Sequence, residues 1–133
     1  MSKNNSLIDE LPDTHHQFMI DLQGSSTKKL FKGEFACKIP TMKDQAMIAK
    51  HKAMLNGEFP VYLDPAILKL HEMIAYLRYT LTDYPIFWKQ SDLGYELRDF
   101  NIIEAVYDSV LSFENEWLGK VWGQEQNESE TKG

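Results

Sequence analysis

From Phe18 the chain alternates: Phe18, Ile20 and Leu22 are apolar, while Gln17, Asp21 and Gln23 are polar. A period of two places successive side chains on opposite faces of a strand. Gly24-Ser25-Ser26-Thr27-Lys28 then supplies turn chemistry. A second alternating run follows, with Phe31, Phe35, Cys37 and Ile39 on one parity and Lys32, Glu34 and Lys38 on the other. Two such runs joined by a short Gly/Ser loop predict a β-hairpin. Gly33 inside the second run marks a bulge or a close backbone approach. A lone hairpin is marginal in water, so this one needs helices beneath it or the strand of another chain beside it.

After Pro40 the period becomes helical. Thr41 as N-cap, with Asp44 three residues on, opens a helix over about 42–55, which Asn56-Gly57 stops. Met47, Ile48, Met54 and Leu55 form its apolar side. Asp64-Pro65 starts a second helix, whose stripe Ile67, Leu70, Ile74, Leu77 and Leu81 runs toward a stop at Pro85. Residues 86–100 read as an irregular connector. Asn101 and Glu104 have capping-box spacing for a third helix with the stripe Ile103, Val106, Val110, Phe113, Trp117 and Val121. The matching seams predict that the second and third helices pack together. The fold class is therefore α+β: an N-terminal β-hairpin on a bundle of about three α-helices. The expected organisation is a flexible arm over 1–14, one domain over 15–123 and a disordered polar tail over 124–133.

Composition narrows the function. A chain of 133 residues, 43% apolar and 26% charged, suits one ordinary globular domain. The net charge of −6 argues against a nucleic-acid backbone as partner, since phosphate binding needs clustered cations. The lone Cys37 forms no internal disulfide, the polar start lacks a signal peptide, and no apolar run reaches membrane-span length. The expectation is a cytoplasmic protein with no membrane partner.

Candidate chemistry is sparse. His15 and His16 adjoin and His51 and His71 stand apart, so no metal-ligand pattern forms. Cys37 shares the apolar parity of Phe35 and Ile39, which reads as a buried, inert thiol. Asp92, Glu96 and Asp99 cluster before the third helix, where capping and solvation compete with acid/base work. The pattern predicts no cofactor and no enzyme. The informative surplus is apolar. Phe87 and Trp88 occupy the connector, and Trp117, Leu118 and Trp122 crowd the end of the last helix. These five are the candidate partner-binding residues, because large aromatics dominate protein interfaces. Met42, Met47, Met54 and Met73 are compatible with an adaptable binding face or with core.

A longer pattern is carried by Phe31-Lys32-Gly33-Glu34-Phe35, Ile39-Pro40-Thr41 and Met54-Leu55-Asn56-Gly57. It continues through Ile74-Ala75-Tyr76-Leu77-Arg78, the Tyr84-Pro85-Ile86-Phe87-Trp88 break and Gly94-Tyr95-Glu96-Leu97-Arg98-Asp99-Phe100. In this order of features the chain resembles the tail-assembly chaperones of long-tailed bacteriophages. The resemblance implies a protein that binds the tape-measure protein and tail-tube subunits during assembly, and that has no catalytic residues. Self-association is compatible with it. The competing expectations are a minor head or tail structural protein that extends a neighbour's sheet with its hairpin, and a small inhibitor of a host protein.

Overall fold

A computed structural model describes residues 11–132, with side chains described through 123. The predicted hairpin is present: β1 (His15–Gln23) pairs antiparallel with β2 (Leu30–Lys38) in unbroken register. Phe18 lies opposite Phe35 and Leu22 opposite Phe31, so both apolar parities share one face. Gly33 is a close approach, not a bulge. A β-carbon there would meet the Pro85 ring at 2.5 Å, so its absence lets the chain at Pro85 lie flat on the sheet.

The helix α1 (Met42–Asn56) opens with the predicted capping box, in which Thr41 and Asp44 each accept from the other's backbone. It turns at Gly57 through a short 3-10 segment (Pro60–Tyr62) into α2 (Pro65–Thr80), capped by Asp64. The two form an antiparallel pair: Asn56 bonds His71 near one end, and the His51 and Tyr79 rings meet near the other.

Helix α2 stops five residues before Pro85. Leu81 turns extended, and β3 (Leu81–Asp83) adds to the free side of β2, giving the sheet order β1-β2-β3. The connector is also more regular than its sequence predicts. It holds the short helix α3 (Ile86–Gln90), then left-handed residues at Asp92, Leu93 and Gly94. Gly94 is required twice, by a φ of +92° and by the Trp88 indole, which would meet a β-carbon at 2.5 Å.

The last helix, α4 (Phe100–Lys132), runs antiparallel to β1. Asn101 bonds the far end of β1, Phe113 stacks on His16, and Trp117 donates to the Pro12 carbonyl. So Pro12 and Thr14 of the expected arm are held, the first by Trp117 and the second by the Ile39 amide, while 1–10 lie outside the described residues. The backbone of α4 continues past 123, where a disordered tail is expected from sequence. Glu and Gln are good helix formers, and an existing helix propagates at little cost.

The core lies between sheet and helices. Ile20, Phe35 and Cys37 meet Ile74 and Leu77 of α2, Trp88 of α3, and Ile103, Val106 and Val110 of α4. The predicted seam thus packs as expected from Ile74 inward. Ile67 does not join it and stays 39% exposed. On α1 only Ile48 is buried, so Met47 and Met54 are not core.

Candidate functional site

The five sequence candidates do not form one surface. Trp88 is 1% exposed and sits edge-on to Phe35 at 5.5 Å, so it is a core residue and drops out as a partner contact. Its short helix points inward because Gly33 and Gly94 make room above and beside it. Phe87 is half-buried against Phe31 and Phe35 and lines a shallow groove of about 320 Å³ with Lys29, Leu97 and Arg98. Trp117 and Leu118 are half-buried at the other end of β1, where the Trp117 indole N–H is taken by Pro12. Trp122 alone is broadly open, at 61%.

The carboxylate cluster also separates. Asp92 and Glu96 face solvent, whereas Asp99 is buried. Asp99 caps, but what it caps is the hairpin turn. Its Oδ1 accepts from the Ser26 and Thr27 amides at 2.7 and 2.8 Å, and its Oδ2 accepts from the Thr27 hydroxyl at 2.6 Å. Those donors, the Thr27 hydroxyl foremost, hold the carboxyl below the usual carboxylate range. Asn101 is displaced from its expected capping role. It accepts from the Ser25 amide and donates to the Gln23 carbonyl, clamping the same turn. Gly24 makes the approach possible, because a β-carbon there would lie 2.3 Å from the Asp99 carboxyl carbon.

His71 is likewise not a free surface histidine. It is 4% exposed, with Nδ1 against Asn56 Oδ1 at 2.9 Å and Nε2 against the Tyr95 hydroxyl at 2.8 Å. Burial lowers its pKa and favours the neutral ring. Cys37 is fully buried, and desolvation pushes its thiol up to about 11, which leaves no nucleophile at neutral pH. Among the described residues no group of three His, Cys, Asp or Glu side chains is placed to hold a metal ion. No described helix is long and apolar enough to cross a membrane.

The surface that stands out lies elsewhere, at the joint between α1 and α2. Gly57 closes α1 with its N–H on the Ala53 carbonyl, and Asp64 opens α2. Between these caps, Tyr62 N–H bonds Phe59 and Leu63 N–H bonds Pro60, so the loop is a built turn. It presents Phe59, Val61 and Tyr62 to solvent at 65%, 82% and 84% exposure. Met54 on the last turn of α1 and Ile67 on the first turn of α2 flank them, also exposed. Met47, two turns before Met54 on the same helical face, extends the apolar side.

Residues 58–63 carry a sequence signal of this surface. An apolar run, Phe59-Pro60-Val61-Tyr62-Leu63, sits between a helix stop and a helix start, where chains ordinarily place polar residues. Such a run has no helix or strand in which to hide its apolar face.

No family model, curated protein or solved structure matches this chain.

Proposed function

We propose that this chain is a non-enzymatic protein-binding module that grips its partner with the apolar loop between α1 and α2. One observation carries the reading. Phe59, Val61 and Tyr62 stand exposed together on a turn held by a cap at each end, flanked by Met54 and Ile67. Contiguous exposed apolar surface of this kind marks interaction sites, and Tyr and Phe supply large contact area at small entropic cost. The built turn limits the ordering needed on binding. Methionines beside it adapt to partners of varied shape.

The partner class follows from the likeness in feature order to phage tail-assembly chaperones. On that reading the loop holds the tape-measure protein, a long helical chain, while tail-tube subunits are gathered. The likeness lies in sequence order, and the exposed loop predicts binding independently of it.

The test is co-purification of the tape-measure protein with the full-length chain from infected cells. Val61→Lys with Tyr62→Lys is expected to weaken capture tenfold or more while leaving the melting temperature unchanged, since both side chains point into solvent. Capture that survives the double substitution removes the loop from the site. Finding the protein in purified virions by mass spectrometry overturns the chaperone reading in favour of a structural component.

A further inference from the structure

The sheet has two edges, and they are not alike. β3 spans three residues, too short to recruit another strand. β1 spans nine, pairs only with β2 among the described residues, and keeps its register from end to end. It has no proline, no bulge and no lysine, and Asp21 is its only carboxylate or ammonium-bearing side chain. Natural edge strands are guarded by such devices, and on β1 a single carboxylate is all there is. The charges of the hairpin are concentrated instead on the inner strand, at Lys32, Glu34 and Lys38.

We propose that β1 is a dimerisation edge and that its occupant is β1 of a second copy of this chain, antiparallel about a two-fold axis at Met19. The sequence is self-complementary in that register. Met19 meets the partner's Met19. Phe18 lies beside the partner's Ile20 and His16 beside the partner's Leu22, all on the helix-covered face. Asp21 falls beside the partner's Gln17, a donor for its carboxylate, and no like charges oppose each other. Because paired positions have the same parity, each face continues across the junction. The exposure of β1 fits: Met19 is 56% open, and Phe18 is only half-buried although it faces the core side. The result is a six-stranded sheet, in order β3-β2-β1-β1-β2-β3, with the two α4 helices on its one covered face. This surface is separate from the α1–α2 loop, so the proposal goes beyond the reading above and does not depend on it.

Sedimentation equilibrium of the full chain over a wide concentration range tests it. The wild type is expected to dimerise. Met19→Lys, which sets two ammonium groups against each other on the axis, is expected to weaken the dimer at least tenfold with an unchanged far-ultraviolet circular dichroism spectrum. Met19→Thr, a good strand former without charge, keeps the dimer, and so does Tyr62→Lys. Paired strands bring opposing α-carbons to about 4.5–5.5 Å, within disulfide range. Mild oxidation of Met19→Cys is therefore expected to give a covalent dimer, while the buried Cys37 stays unreactive. A wild type that is monomeric throughout overturns the proposal, including the case in which the chain's own first ten residues cover the edge. So does a dimer that Met19→Lys leaves intact, or a Met19→Cys chain that fails to cross-link.

Discussion

Asp99 shows how a single side chain changes meaning when its partners come from far along the chain. In sequence it belongs to a polar cluster before a helix, yet its bonds run 72 and 73 residues back, to Thr27 and Ser26. No local pattern contains that information. Its removal is expected to loosen the hairpin turn: Asp99→Ala lowers the urea midpoint more than Thr27→Val does, because it takes the acceptor from two amides as well as a hydroxyl. Its lowered pKa gives a sign. The contribution is fully present above the ordinary carboxylate pKa and is lost as pH falls through the folded value, so the stability gap between wild type and Asp99→Asn should be widest above about pH 4 and close as pH falls below it. His71 acts at milder pH. Its folded pKa is lowered by burial, so the unfolded chain takes up the proton first. Stability is retained above about pH 6.5 and declines as pH falls toward the folded value, a slope that His71→Gln should flatten in urea titrations between neutral and mildly acidic pH. Trp88 completes the residue scale. As a core residue, Trp88→Ala should cost about 3–5 kcal/mol, whereas Trp122→Ala stays within about 0.5 kcal/mol. A Trp88→Ala chain of normal stability would return that residue to the surface.

Elements were legible where their period ran long. The hairpin, the capping box of α1 and the N-cap of α2 follow from alternation and cap chemistry that act within a few residues. The third strand was hidden for a physical reason. Leu81 continues the helical spacing from Leu77 and its N–H still bonds the Leu77 carbonyl, yet its backbone is extended. Three residues are too few for alternation to show. Helix α1 misled in the opposite sense: Met47 and Met54 are apolar and helix-favouring but lie on the outer side, and hydrophobicity alone does not say which apolar face finds a neighbour. The connector's irregular sequence predicts an exposed Phe87–Trp88 pair, whereas Trp88 is buried and Phe87 half-buried because Gly33 and Gly94 leave room for them. Gly33 tests that dependence. Gly33→Ala drives a methyl group into the stiff Pro85 ring, with an expected cost of about 1–3 kcal/mol and a lower denaturant midpoint at unchanged slope.

At the scale of the whole molecule, two groups of apolar side chains contrast among the described residues. One is the core between the sheet and α2, α3 and α4. The other is the loop at the α1–α2 joint, exposed and outside that core, which is the surface proposed to meet a partner. Substitutions in the first part should alter stability, and substitutions in the second should alter binding with stability intact. A double set of variants, one from each part, would check the division by melting temperature and partner capture together.

The clamp of the hairpin turn by Asp99 and Asn101 also orders events in time. Translation at 5–20 residues per second separates Thr27 from Asp99 by roughly 4 to 14 s. Through that interval the nascent hairpin has neither its clamp nor its helical cover, while the unguarded strand β1 is already made. The newborn chain is therefore most exposed to wrong pairing on the ribosome, before its final helix arrives, and slowed synthesis across residues 30–100 should raise its loss to aggregation.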